Sequence, residues 1–322
     1  MSGELEFRRG IFEALDEELA RDPSVILFGE DVAAAGGVFA VTKGLAERHP
    51  EQVFDTPISE LALMGAAYGT ATGGLRPVLE IMFGDFLPLI MDGLVNQAAK
   101  FYYVSNEQGT CPLVIRSAVG GGVRFGAIHS QMPAAWFHNV PGLKIVAPAT
   151  PADAKGLLLS SIRDPNPVLF LEHKHLYGMK GEAGDGEAVP LGSASVVRRG
   201  GDLTIAAAMK GVHEALAAAE ELAGSGIECE VIDLRTLRPF DIPSVVASVE
   251  RTGRLLVVEE APRTGGWAGE LVAEVTELAI GSLDDIWRLA TPDHPIPFSP
   301  VLEDAFFVNA AAIVESVRTR SS

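Results

Sequence analysis

Glu60 is the main candidate for a residue that transfers protons, because its carboxyl group stands next to an apolar stretch of sequence. Ser59 precedes it and can cap a helix that Glu60 opens, which would place the carboxyl at a helix N-terminus. The residues up to Tyr68 are apolar on nearly every side of such a helix, so we expect it to be buried. A buried carboxyl needs a partner or a proton, and burial raises its pKa towards neutrality. The alternative is an ordinary first-turn glutamate.

His129 is the second candidate, since it lies in a segment that is rich in glycine. Residues 120–122 are three successive glycines, and Gly126 follows them. The backbone here can approach a ligand closely, with a merely flexible loop as the alternative. An imidazole titrates at about pH 6.5, which suits proton transfer. His173 and His175 can share one face at a strand end, but a metal site there would lack its third ligand.

These residues need a scaffold, and the alternation of apolar strands with helical segments predicts an α/β fold. We expect two three-layer domains, each a mostly parallel sheet with helices on both faces. Residues 178–192 are rich in Gly, Glu and Pro and lack periodicity, so they form the predicted linker between domains at 1–177 and 193–322. The predicted strands are residues 24–29, 77–82, 111–116, 144–146, 168–172, 203–208, 228–233, 255–259 and 286–290. The predicted helices are residues 5–21, a stretch ending at 45, a stretch beginning at 60, and residues 87–103, 151–163, 211–223, 241–252, 269–280 and 310–317.

The composition limits the class of protein. With 48% hydrophobic and 21% charged residues, the chain of 322 residues has the balance of a soluble globular protein. A formal net charge of −18 argues against nucleic-acid binding, which needs a basic face. No apolar run reaches the ~20 residues that span a bilayer, and the N-terminus has neither a signal-peptide nor a transit-peptide pattern, so we expect a cytoplasmic protein. Cys111 and Cys229 lie in strand-like segments and are expected to be buried free thiols.

Residues 54–86 contain the motifs DTPISE, GGLRPV and FGDF, and NQAAK follows them. Together they strongly resemble the β subunit of the E1 component of 2-oxo acid dehydrogenase complexes. The likeness continues through HSQ at 129–131 and through EVIDLRTLRPFD, GGWAGE and PFSPVLED, which are similar to the transketolase C-terminal domain. The resemblance implies a thiamine diphosphate-binding pyrimidine domain, followed by a domain that makes subunit contacts and helps to dock the E2 core. One departure is Gly93, where the family usually has Gln, and we expect it to affect packing.

The resemblance also implies roles for individual residues. Glu60 would bond N1′ of the aminopyrimidine of thiamine diphosphate and favour the imino tautomer that removes the C2 proton. Phe86 would pack on the pyrimidine ring, although a strand-end Phe is also common in cores. Glu30 would lie near the cofactor, with loop capping as the alternative. His129 would lie in the substrate channel and assist proton transfer as the acyl group passes to lipoyl sulfur.

Two further features carry alternatives. The segment SSIRDPNP resembles the family's potassium site, although Asp-Pro-Asn-Pro is also an ordinary turn. Trp267 is either an interface anchor or a core residue. On the resemblance, a structural K⁺ would be held by Leu113, Ser161, Ile162, Asp164 and Asn166.

Half of the expected cofactor site is missing from this chain. The family's magnesium motif is GDG followed further along by an Asn pair, and no Asn-Asn occurs here, so GDG at 184–186 is a decoy. In the family an α subunit holds the diphosphate and Mg²⁺, and the cofactor lies at the α/β interface of an α2β2 tetramer. We therefore expect an E1 β subunit that works with an α subunit and with an E2 dihydrolipoyl acyltransferase.

The substrate implied by the resemblance is a 2-oxo acid, with pyruvate as the first choice. HSQ with AAWF, and the GGWAGE region, look most like the pyruvate type. FGDF with NQAAK, and LEHKHLYGMKGE, are as close to acetoin dehydrogenase, and branched-chain 2-oxo acids stay open. A non-catalytic scaffold that only docks E2 would not need Glu60 or His129. A complete transketolase-like enzyme would carry its own magnesium motif.

Overall fold

The strands of this protein are runs of aliphatic and β-branched residues, and in several of them every side chain is buried. Burial on both faces is what a parallel sheet between two helical layers requires. In the computed structural model, which describes residues 3–321, the strands are β1 Glu4–Glu6, β2 Val25–Gly29, β3 Val53–Asp55, β4 Arg76–Phe83, β5 Val114–Val119, β6 Lys144–Val146, β7 Val168–His173, β8 Lys180–Glu182, β9 Ser195–Arg198, β10 Leu203–Ala207, β11 Cys229–Asp233, β12 Thr236–Arg238, β13 Arg254–Pro262 and β14 Asp285–Thr291.

The helices begin where local capping signals place them. Thr150 Oγ1 accepts a hydrogen bond from the Asp153 N–H at 3.1 Å, and Asp241 Oδ1 accepts one from the Ser244 N–H at 3.2 Å. Each capping residue satisfies an N–H of a first turn that has no partner within its helix. Thr150 and Asp241 are therefore the N-caps of the helices that follow them. The α-helices are α1 Phe7–Arg21, α2 Leu45–Arg48, α3 Glu60–Thr72, α4 Phe101–Val104, α5 Ala134–His138, α6 Pro151–Arg163, α7 Lys210–Ala223, α8 Ile242–Thr252, α9 Ala268–Ala279, α10 Pro300–Phe306 and α11 Ala310–Ser321.

The first sheet has seven strands in the spatial order β12-β6-β7-β5-β4-β2-β3. Its neighbouring strands are parallel except for β12, which pairs antiparallel with β6. Since β12 comes from the second half of the chain, this sheet extends across the predicted boundary between the domains. The order places β5 near the centre, where helices cover the sheet.

The second sheet has five strands in the order β14-β13-β10-β11-β9, with β9 antiparallel to β11. Alternate residues of β10 face opposite helical layers: Ile205 packs in the cluster formed with α7 and α11, and Ala206 packs in the cluster formed with α8 and α9. The predicted α/β class, with mostly parallel sheets between helices, is therefore confirmed. The cluster of α8 and α9 is continuous with the core of the first sheet.

The segment predicted as a linker is packed on the first domain. Within it, β8 pairs antiparallel with β1, and the Val189 N–H donates to the Gly156 carbonyl oxygen at 3.0 Å. Ser160 Oγ also donates to the Val189 carbonyl oxygen, at 2.5 Å. The absence of periodicity in residues 178–192 therefore did not mean the absence of order.

The predicted single helix at residues 87–103 is wrong. The chain forms a 3₁₀ helix at Gly84–Ile90, a π-helical segment at Asp92–Gln97, a further 3₁₀ turn and then α4. Gly93 lies in the π-helical segment, and a Cβ there would stand 2.5 Å from Met64 Cγ of α3. The close approach of the two helical segments leaves no room for a Cβ at this position unless Met64 shifts.

Three smaller expectations also fail. The helix expected to reach residue 45 begins only at Leu45. Ser59 precedes α3, but its side chain makes no capping hydrogen bond. The helix α3 is not buried on every side: Leu63 and Met64 are buried, whereas Leu61 is 63% exposed. An apolar helix face is therefore open to solvent in the single chain.

The prediction that both cysteines are buried free thiols is confirmed. Cys111 and Cys229 are free and buried, and burial raises the pKa of their thiols to about 12 and about 11. Trp267 is a core residue within this chain, with 4% of its surface exposed. Among the described residues, no helix is both long and apolar enough to cross a membrane.

Candidate active site

The candidate catalytic residues collect at one edge of the first sheet. Strands β2, β4, β5 and β7 are parallel, so their carboxyl ends meet there. Glu30 directly follows β2, Phe86 follows β4, Gly120 follows β5 and Lys174 follows β7. Ligands of α/β sheets bind at this edge, where the loops between strands and helices converge.

Two carboxyl groups lie close together at this edge. Glu60 is half-buried at the first position of α3, and Glu30 is half-buried at the end of β2. Burial raises the pKa of Glu30, and the negative charge of Glu60 raises it further. Asp55, at the end of β3, accepts hydrogen bonds from the N–H groups of residues 33–34 at 2.7 and 3.0 Å. These bonds hold the loop that follows Glu30.

The imidazole of His129 packs in an aromatic corner. Its ring lies 4.8 Å from Phe83 and 5.5 Å from Phe86, centroid to centroid, in edge-to-face arrangements. Phe83 and Phe86 also meet edge to face at 5.8 Å. Such contacts favour one ring orientation over others. The structure therefore brings Phe86 and His129 together, with His129 half-buried.

The loop of His129 is closed at its base by hydrogen bonds. The Gly120 N–H donates to the Gln131 carbonyl oxygen at 3.0 Å, and Gln131 donates to Asp85 Oδ1 from its backbone N–H and from Nε2. Asp85 Oδ2, Ser130 Oγ and Thr56 Oγ1 are buried atoms without a hydrogen-bond partner. Buried polar atoms are normally paired, and these three have no partner among the described residues.

Lys174 supports this loop from below. The side chain is buried, and its Nζ donates to the carbonyl oxygen of His129. Nζ also lies 5.4 Å from the ring centre of Phe83 and 5.8 Å from that of Phe125. Burial lowers the pKa of Lys174 to about 8, although the carboxylate of Asp85 opposes that shift.

Residues of the second domain also reach the site, and the sequence did not indicate them. Glu260 Oε1 accepts from the Gly121 N–H at 2.7 Å, and Glu260 Oε2 lies 2.9 Å from His173 Nε2. The Nδ1 atom of His173 accepts from the His175 N–H at 3.2 Å, so both of its ring nitrogens are engaged. Glu303 contacts the next residue of the loop. Lys174 and Glu260 could have been found, because each follows a predicted strand, whereas the PFSPVLED motif gives no indication that Glu303 lies near His129.

The residues present suit the pyrimidine half of thiamine diphosphate. An aromatic side chain and a carboxyl group match the flat ring and the ring nitrogen of a pyrimidine. Next to Glu60, Ile58 is 79% exposed and Leu61 is 63% exposed, which leaves the site open on the side of α3. Exposed apolar groups at the rim of a site mark a surface that another chain covers.

The described residues form no cluster that could hold the metal of the diphosphate. Across residues 3–321, no cluster of three or more His, Cys, Asp or Glu side chains is arranged to hold a metal ion. Asp185 of the GDG sequence accepts a hydrogen bond from the Glu187 N–H at 3.1 Å in an exposed turn. That bond is an ordinary turn contact.

The residues of the predicted potassium site lie at the opposite, amino edge of the sheet. Arg76 Nη1 donates to the carbonyl oxygens of Ile162 and Asp164 at 2.9 and 3.3 Å. The carboxylate of Asp164 pairs with Lys144 at 2.7 Å. The Leu113 carbonyl oxygen accepts from a backbone N–H of β7. Two positive side chains thus already contact these oxygens, and the potassium site stays a prediction.

Glu60 lines neither of two large clefts in the structure. One, of about 660 Å³, is bounded by Ile128, Trp136 and Phe307 between the His129 loop and the second domain. The other, of about 770 Å³, lies against Tyr102 and Phe240.

Comparison with known proteins matches this arrangement to two domain families and to several relatives. Residues 3–180 match the transketolase pyrimidine-binding domain, and residues 192–313 match the transketolase C-terminal domain. The chain is 47% identical to acetoin:2,6-dichlorophenolindophenol oxidoreductase subunit beta of Cupriavidus necator, over 99% of this chain and 98% of the relative. It is 44% identical to pyruvate dehydrogenase E1 component subunit beta of Bacillus subtilis, over 96% of each, and 43% identical to 2-oxoisovalerate dehydrogenase subunit beta of Bacillus subtilis, over 95% of each.

A solved structure shows the same fold. A split-gene transketolase, described as an inactive beta4 tetramer, superposes with a TM-score of 0.82 over 98% of each chain. The sequences are 24% identical, so this likeness concerns the fold alone.

The lowered pKa of Lys174 predicts a pH-dependent contribution to stability. The folded protein favours the neutral amine, so its contribution is present above the ordinary pKa of 10.5 and is lost as the pH falls to about 8. Between these values the free energy of unfolding of the unmodified protein should rise with pH by up to ~1.4 kcal/mol per pH unit relative to Lys174→Met. Urea unfolding at several pH values measures this difference. Lys43→Met, at an exposed lysine, is the control and should show no such trend. A constant difference between Lys174→Met and the unmodified protein would contradict the assignment.

Proposed function

The chain belongs to the family of transketolase-like E1 β subunits of 2-oxo acid dehydrogenases, and we propose that it is the β half of a thiamine diphosphate-dependent E1 enzyme. That enzyme decarboxylates a 2-oxo acid oxidatively and transfers the acyl group to a lipoyl group of E2. One observation carries the proposal: Glu30, Glu60, Phe86 and His129 lie at one edge of a sheet that offers the pyrimidine half of a site. An α subunit would complete an α2β2 heterotetramer and hold Mg²⁺ on the diphosphate.

Glu60 would hold the aminopyrimidine through its ring nitrogen. When bound, thiamine diphosphate supplies the electron sink for decarboxylation. The carboxyl of Glu60 lies beside Glu30, whose pKa is raised by burial and by that charge. Coverage of the exposed face of α3 by an α subunit would remove water from both groups. Phe86 would form a wall of the pyrimidine pocket.

His129 would serve the later transfer of the acyl group to lipoyl sulfur. Its ring is oriented by Phe83 and Phe86, and its backbone carbonyl by Lys174. A histidine held in this way can exchange a proton with a thiol near neutral pH. The scaffold alternative gives no reason for these contacts.

Pyruvate is the proposed substrate, and acetoin is the second candidate. The pyruvate choice rests on the motifs around His129 and Trp267. Acetoin is favoured by the identity of 47% to an acetoin oxidoreductase β subunit, against 44% to a pyruvate dehydrogenase β subunit. Turnover of the α/β complex with pyruvate, acetoin and branched-chain 2-oxo acids, using a redox dye as electron acceptor, separates the candidates.

The first prediction of this proposal concerns cofactor affinity. Calorimetry with thiamine diphosphate and Mg²⁺ should give weak binding to this chain alone and tight binding to its complex with a co-expressed α subunit. The reason is that the chain offers the pyrimidine half and no metal cluster among residues 3–321. Tight binding to the single chain would mean that the site is complete without a partner. No binding in either sample would favour the scaffold.

A second prediction concerns Glu60. Glu60→Gln keeps the size of the side chain but removes its proton exchange, so decarboxylation by the α/β complex should fall by at least ~100-fold. Assembly, followed by size-exclusion chromatography, should stay unchanged. Glu47→Gln, at an exposed position, is the matched control and should keep full turnover. Retained decarboxylation in Glu60→Gln would remove Glu60 from the mechanism.

We also propose that a structural K⁺ binds the oxygens of the Asp164 region. The thermal midpoint of the protein should then be higher in KCl than in NaCl of equal concentration, because K⁺ would bind only the folded state. Arg76→Met, which frees two carbonyl oxygens, should enlarge that difference. Equal midpoints in both salts would leave Arg76 and Lys144 as the cations at this place.

A further inference from the structure

The second domain contacts the loop of His129 through α10, a helix that was not predicted from the sequence. Glu303 lies on α10, and its Oε1 accepts from the Gly122 N–H at 3.0 Å and from the Arg124 N–H at 3.3 Å. Its Oε2 accepts from Arg124 Nη1 at 2.5 Å. One carboxylate therefore binds two backbone N–H groups and one guanidinium of the same loop. We call this set of contacts the loop clamp.

The carboxylate of the loop clamp is buried. The Glu303 side chain has no exposed surface, whereas the Arg124 side chain is 36% exposed. A buried carboxylate is stable only when its oxygens are paired, and the loop supplies all of these partners. If either Glu303 or the loop moved away, the buried carboxylate would therefore lose its partners.

The geometry of the loop shows that it is held under constraint. Arg124 has a backbone φ of +65°, a conformation that non-glycine residues rarely adopt. At Gly121, a Cβ would stand 2.0 Å from Phe307 Cζ, so the backbone of the loop lies directly against the end of α10. Glu260 adds a bond to the Gly121 N–H from the neighbouring strand β13.

Without such contacts this loop would be poorly ordered. It has glycine at 120, 121, 122 and 126, and glycine loses more backbone freedom on ordering than any other residue. Its base is closed by the bond between Gly120 and Gln131, and Lys174 holds the His129 carbonyl. Between those points, the loop clamp and the bond from the Gly121 N–H to Glu260 restrain the backbone that leads to His129.

We infer that Glu303 is a positioning residue for His129: through Gly122 and Arg124 it holds the loop in the conformation needed for acyl transfer. This inference rests on the proposed function. It assigns the second domain a part in the reaction, in addition to subunit contacts and E2 docking. The effect is specific, because Glu303 touches the loop of His129 and makes no hydrogen bond or ion pair with Glu60 or Glu30.

The test compares two reactions of the α/β complex. Glu303→Gln keeps the volume and weakens the bond to Arg124, while Arg124→Ala leaves Glu303 in place and removes the guanidinium. Both should lower the kcat of lipoyl acylation by about tenfold, because a small displacement of a proton-transfer group is costly. Both should leave dye-coupled decarboxylation, which does not need His129, near the unmodified rate.

Asp304→Asn is the matched control. Asp304 pairs with Arg124 Nη2 at 2.6 Å, but its side chain is 65% exposed and it makes no bond to the loop backbone. Exposed ion pairs contribute little to stability, so Asp304→Asn should keep both reactions. Hydrogen exchange of residues 120–131 should rise in Glu303→Gln and Arg124→Ala but not in Asp304→Asn.

The outcomes separate a positioning role from a merely structural one. Equal losses in both reactions, together with a lower thermal midpoint of the complex, would overturn the inference, as would unchanged acylation in both variants. Failure of the proposed function would appear differently, as an absence of dye-coupled turnover by the unmodified complex with every substrate.

Discussion

A fully buried guanidinium lies in the middle of the first sheet, and the site depends on how its charge is neutralised. Arg116 donates two hydrogen bonds to Glu172, at 2.7 and 2.9 Å, and one to Glu80 at 2.7 Å. Removing one partner of a buried ion pair costs about 3–5 kcal/mol, because the remaining charge stays buried. The three residues come from β4, β5 and β7, so this pairing holds together the strands whose carboxyl ends carry Phe86 and the loop of His129.

The two edges of that sheet carry different kinds of residues. At the carboxyl edge, the half-buried Glu30 and Glu60 and the His129 loop form one surface. This surface is exposed beside α3, and α10 contacts its His129 loop. At the amino edge, Arg76 and Lys144 meet carbonyl and carboxylate oxygens. Parallel strands keep the two edges a strand length apart, so the cations at the amino edge lie away from the acids at the carboxyl edge.

Much of the fold follows from local sequence because the signals are local. Thr150 and the proline after it start α6, and an apolar run defines β10, so both were predictable from neighbouring residues. Long-range contacts decided the rest. The strand β12 exists only because β6 offers it an edge, β8 because β1 does, and the irregular helical segment at Asp92–Gln97 because Met64 packs against Gly93.

For the site, the sequence by itself determined which side chains are available: Glu30, Glu60, Phe86 and His129 stand in motifs that can be read along the chain. Tertiary structure alone decided what surrounds them. Glu303 is far from His129 in sequence, and its PFSPVLED motif does not indicate a contact with that loop, yet Glu303 holds the loop by three contacts. The physical reason is that a buried carboxylate needs hydrogen-bond partners. The groups that pair with Glu303 become its neighbours only when the two domains pack together.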